Sequence, residues 1–184
     1  MITLMCPLVV GIIVFRNEAI LVAGGNEYMD GAKSLLILSI AIAASLMATF
    51  YSGCVLMPLK KEKYILKGTL ISAIINVGLN IFLLPVLGGV GAATTTLVSE
   101  VFVAIYFFYL SNKEGYKFID YKVVLLSLTG GAMVALACIV IKYIFGDFWI
   151  YFSLSLVISA IIYVAIQIVG KNSVMDDLRV RIRK

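Results

Sequence analysis

The sequence predicts an all-α membrane protein with about six transmembrane helices, and three observations carry that prediction. Hydrophobic residues make up 62% of the chain and charged residues 14%, with a mean hydropathy of +1.09. A soluble domain has about 45–50% apolar and about 25% charged residues, so this excess has to be covered by lipid rather than by one small core. The apolar residues also fall in runs of helical length, at 1–22, 34–59, 64–87, 88–111, 123–145 and 148–170. A helix needs about 20 residues to cross about 30 Å of hydrocarbon. Finally, the Lys and Arg residues concentrate at alternate junctions between the runs.

Helices are expected for these runs because each backbone N–H and C=O must be satisfied within its own segment. The period-2 alternation of an outer-membrane barrel is missing. Run one is interrupted by Arg16, Asn17 and Glu18, which predicts a membrane helix over 1–15 and a short interfacial helix to Gly24-Gly25. The paired glycines of GGNEYMD then turn the chain. Runs three and four meet at Gly88-Gly89-Val90-Gly91 just after Pro85, with no charge between them, which predicts a tight turn between antiparallel helices. No GK[ST] follows those glycines, so they are not a phosphate-binding loop. Residues 1–170 therefore form a helical lobe, and 171–184 a basic tail suited to anionic lipid.

Charge sets the expected orientation. Lys60, Lys61, Lys63, Lys67, Lys113, Lys117, Lys122, Lys171, Arg179, Arg181, Arg183 and Lys184 share one side, twelve of the 15 Lys and Arg. Arg16, Lys33 and Lys142 fall on the other. The positive-inside rule puts the twelve, and with them the C-terminus, in the cytoplasm of a multi-pass inner-membrane protein. The net charge of +5 is thus a topological signal, and no nucleic-acid partner is expected. Met1 is not followed by a basic n-region or a small-x-small cleavage site, so a signal peptide is not expected.

Histidine is absent, which removes the commonest general base and metal ligand. Cys6, Cys54 and Cys138 are far apart in apolar runs and make no metal-ligand or disulfide spacing. No metal, cofactor or catalytic residue is expected.

Several runs carry polar or small residues at helical spacing. Ser72, Asn76 and Asn80 recur every four residues, as do Ser155, Ser159, Tyr163 and Gln167. Ser45, Thr49 and Ser52 share a face with Ala41 and Ala48 nearby; Ser127, Gly131, Ala135, Cys138 and Lys142 share another. Gly89, Ala92, Ala93, Thr96 and Glu100 line a fifth. Helix packing accounts for small residues and hydroxyls in membranes. A carboxylate is a different matter: near mid-membrane it costs about 2.5–3.5 kcal/mol, so Glu100 should face protein or a wet cavity. Its expected partner is Asn76 or Asn80, either as a protonated clamp or as a group that takes up and releases a proton.

The stretch NVGLNIFLLPVLGGVGAATTTLVSE resembles the C-terminal lobe of polysaccharide flippases, the O-antigen and capsule lipid-oligosaccharide exporters (Wzx-type) of the MOP superfamily. CPLVVGIIVFRNEAILVAGGNEYMDGAKSLLILS and LKKEKYILKGTLISAIINV resemble the same lobe, so the likeness covers most of 7–110. It implies one lobe of a MATE/MOP-like transporter, which rocks against an N-terminal lobe in the same or a separate chain. The family has about twelve or more helices, so a partial chain or half-transporter is expected. The implied activity is flipping of an isoprenoid-pyrophosphate-linked oligosaccharide for surface polysaccharide, with a proton or sodium as coupling ion. Ser72, Asn76, Asn80, Thr96, Glu100 and Gln167 are the candidate path residues, and Arg16 and Lys142 the candidate cations for the pyrophosphate. A multidrug/cation antiporter lobe and a non-transporting membrane scaffold are the alternatives. A membrane glycosyltransferase would need catalytic groups on sizeable loops, which the short junctions do not provide.

Overall fold

The computed structural model describes residues 2–115, 121–144 and 148–169 and is helical throughout, with no strand among the described residues. Helix α1 spans Ile2–Val14 and α2 spans Arg16–Gly24, with the break at Phe15 beside the polar Arg16-Asn17-Glu18 triplet. A single turn, Asn26–Tyr28, leads to α3, Gly31–Phe50, which runs on without a break into a π-helix, Tyr51–Leu56. Helix α4 spans Glu62–Lys113, α5 Tyr121–Ile144 and α6 Phe148–Val169. Among the described residues, three helical stretches are long and apolar enough to cross a membrane: Gly31–Leu56, Glu62–Lys113 and Leu125–Ile144. A fourth is added if α1 and α2 together form one broken span.

Helix α4 is two helical arms joined at Gly88, whose backbone is non-helical (φ 55, ψ −134) and where the chain reverses direction. A residue with Cβ is strained there, and Pro85 three residues earlier removes a helical donor. Beyond the bend, Gly91 sits against the Leu83 carbonyl of the arm it has just left. The turn is tighter than the four-residue Gly88–Gly91 connection expected, because Gly88 makes the reversal and helix resumes at Gly89. Each arm has about 25 residues, or about 38 Å at 1.5 Å per residue, enough to cross hydrocarbon.

The chain divides into two compact units. The first contains α2, α3 and α4, with α3 packed on both arms of the α4 hairpin. Its apolar core joins Ala48, Tyr51, Val55 and Leu56 to Val103 and Phe107 of the second arm. Tyr51 meets Phe108 edge-on with ring centroids 5.5 Å apart. At one end, Lys61 Nζ donates to Glu114 Oε1 at 2.9 Å, tying the α3–α4 junction to the end of the second arm. At the other end, the Gly88 turn lies by the start of α3, where a Cβ on Gly89 would be 3.4 Å from Ser34 Oγ. Lys60, Lys61, Lys63 and Lys113 therefore gather at one end of this unit and Lys33 at the other.

In the second unit α5 packs on both α1 and α6. Ser127, Gly131, Val134, Cys138 and Ile141 form its buried face. Ala135 and Lys142, expected on the same stripe, fall outside it: Lys142 is exposed. The basic tail 171–184 lies outside the described residues.

Candidate functional site

The α4 hairpin is clamped by a ladder of side chains. Ser72 Oγ donates to the Ser99 carbonyl at 2.9 Å, and Asn76 Nδ2 donates to Ser99 Oγ at 3.1 Å. Ser99 Oγ passes its own proton to the Thr96 carbonyl at 2.9 Å. Asn80 Nδ2 donates to Asn76 Oδ1 at 3.0 Å, while Asn80 Oδ1 is buried with no hydrogen-bond partner among the described residues. The asparagines therefore do not partner Glu100, contrary to expectation. Neighbouring residues on a helix point about 100° apart, so the face that brings Ser99 to Asn76 turns Glu100 aside. Thr96 is also diverted, donating to the Ala92 carbonyl at 3.0 Å.

Glu100 instead opens onto a cleft of about 200 Å³ between α3 and the two α4 arms. From α3 and its π-helical end come Ser45, Ala48, Thr49 and Ser52; from the first arm, Ile65, Thr69 and Ser72; from the second, Glu100, Val103 and Phe107. Six of these carry polar side chains, and Glu100 is the one ionisable group among them. Nothing in the lining supplies a cation. Several hydroxyls already spend their protons on backbone: Ser52 on Thr49 at 3.2 Å, Thr69 on Ile65 at 3.0 Å, Ser72 on Ser99 at 2.9 Å. Their remaining lone pairs, with the Glu100 carboxylate, make the cleft rich in acceptors. Such a lining suits a proton, a small cation or a ligand bearing O–H or N–H groups.

The π-helix belongs to this site. Met57 N–H donates to the Ser52 carbonyl at 2.9 Å, the wide i→i−5 spacing that defines the segment. The wider turn lets Tyr51, Val55 and Leu56 all reach the core while Ser52 faces the cleft.

The other sequence candidates separate from the cleft. Arg16 is half-buried at the start of α2 and Lys142 is exposed on α5; neither lines it. Gln167 lies in α6, and its side chain is outside the described residues. The α5 and α6 stripes pack helices. Cys138 Sγ and Ser159 Oγ are 3.1 Å apart, and a Cβ on Gly131 would be 3.4 Å from Val10 and 3.8 Å from Cys6 of α1. No trio of possible metal ligands occurs among the described residues. Thr69 was not singled out by the sequence, although it lies three residues before Ser72 and so on the same face.

Outside the helices, Lys61 is held above the usual lysine value of 10.5, first by its hydrogen bond to Glu114. Comparison of the chain with family models, curated proteins and solved structures finds no match.

Proposed function

We propose that the chain is one lobe of an inner-membrane carrier that flips isoprenoid-pyrophosphate-linked oligosaccharide for surface polysaccharide, working with an N-terminal lobe. In this reading six segments cross the bilayer, the two arms of α4 counting as two, with the C-terminus in the cytoplasm. The reading rests on the flippase resemblance over 7–110. The observation that carries it on the structural side is the acceptor-rich Glu100 cleft between helices long and apolar enough to cross a membrane. A sugar–pyrophosphate head group cannot cross hydrocarbon bare, since each unpaired polar group costs several kcal/mol.

The cleft itself is not the glycan cavity. A cleft of about 200 Å³ is small for an oligosaccharide head group. Its role here is coupling: Glu100 binds a proton or a small cation and releases it as the lobe moves, while the glycan passes through a larger path completed by the second lobe. The same acceptor-rich lining favours one alternative, a cation antiporter lobe whose cargo is a small organic cation. A non-transporting scaffold would leave the cleft without a task.

The test is reconstitution of the chain with its second lobe in liposomes holding fluorescent isoprenoid-pyrophosphate-linked oligosaccharide. Loss of lectin access to the outer leaflet under an imposed proton or sodium gradient supports flipping. Gradient-driven movement of an organic cation without glycan movement selects the antiporter, and movement of neither selects the scaffold.

A further inference from the structure

We infer that Gly68 sets the width of the Glu100 cleft by giving the Phe107 ring a place to lie. Gly68 is buried on the first arm of α4, next to Thr69 of the lining. A Cβ built on it would meet Phe107 Cε1 at 2.7 Å and Tyr106 Cδ1 and Cε1 at 2.6 and 2.8 Å. Carbon atoms do not approach that closely, so one methyl group at this position must displace both rings. The two rings have different escapes. Tyr106 is only partly buried and stacked on Phe102 at 6.2 Å, so it moves outward. Phe107 is 3% exposed and belongs to the core with Tyr51, Leu56 and Val103. Its open side is the cleft that it lines. A well-packed core does not yield, so the ring moves into the empty volume. Gly68 is thus a positioning residue. It acts through Phe107, and together they determine how large a group reaches Glu100.

The inference rests on the Glu100 cleft being a working site, but its test reads the width of the cleft whether or not the chain flips glycan. The full chain in native membrane vesicles is treated with a bulky carbodiimide, dicyclohexylcarbodiimide, and with a slimmer one, diisopropylcarbodiimide. Modification of Glu100 is followed by mass spectrometry at equal membrane abundance. Gly68→Ala is expected to slow the bulky reagent about tenfold, the scale of an overpacked core, and the slim one less. Phe107→Leu is expected to speed the bulky reagent, and Gly68→Ala/Phe107→Leu to restore at least the wild-type rate. Unchanged size discrimination in Gly68→Ala, or a double variant as slow as Gly68→Ala, overturns the inference. Should Gly68→Ala fail to accumulate, the double variant decides: accumulation with wild-type or faster labelling supports it, and slow labelling or continued absence overturns it.

Discussion

At the residue scale, Glu100 and the Lys61–Glu114 pair put ionisable side chains in very different surroundings. Glu100 sits about halfway along its arm and lines the cleft among hydroxyl oxygens rather than amides. Glu100→Gln keeps size and hydrogen bonding but cannot titrate. If the proposed carrier reading holds, Glu100→Gln in the chain assembled with its second lobe is expected to keep normal membrane abundance and lose gradient-driven transport. Retained transport in that variant would remove coupling from Glu100 and leave it a lining residue. The Lys61–Glu114 bond at 2.9 Å lies at the helix ends, with both side chains 33% exposed. Because folding raises the Lys61 pKa, its contribution is fully present below the unfolded value and is lost as pH rises through the folded one. The difference in thermal midpoint between wild type and Lys61→Gln should therefore be constant from neutral pH to about 10 and shrink above it. A difference that grows over the alkaline range would contradict the assignment.

At the element scale, the α4 hairpin depends on two glycines for different reasons. Gly88 supplies a positive φ that bulky residues avoid, and Gly91 lets the second arm touch the Leu83 carbonyl. Gly88→Val and Gly91→Ala should each destabilise the folded protein by about 1–3 kcal/mol, read as loss of thermal stability in detergent. Gly78 on the first arm is the control. Nothing lies within 4 Å of its Cβ position, so Gly78→Ala should be neutral or stabilising by up to about 1 kcal/mol through helix propensity. Equal losses at all three positions would mean that the hairpin is not the stability-limiting contact.

At the scale of the whole molecule, the first unit separates its lysines between two ends in the way the charge bias predicts. Lys60, Lys61, Lys63 and Lys113 lie at one end of that unit and Lys33 at the other, as the loop charges require. Topology reporters fused after Lys63, Gly115 and Lys184 should report cytoplasm, and fusions near Glu27, Gly89 and Gly146 the outside. Two reversed reporters would defeat the orientation. Gly146 and Lys184 lie outside the described residues, so these two fusions test the sequence pattern alone.

The sequence by itself determined the apolar helix-forming runs and the break near residue 15, because hydrophobic length and polar interruptions act locally. It also placed Ser45, Thr49, Ser52, Ser72 and Glu100 on polar faces, since spacing along one helix fixes which residues align. Which faces meet is not a local property. Asn76 and Asn80 share Glu100's neighbourhood in sequence pattern, yet antiparallel packing of the α4 arms gives them Ser99. Glu100, turned about 100° from Ser99, is left to α3. The π-helical turn at Tyr51–Leu56 and the placing of Phe107 beside Gly68 have no periodic signature either. They arise where large rings from one helix must fit against small residues of another, so only the tertiary structure decided the width and chemistry of the cleft.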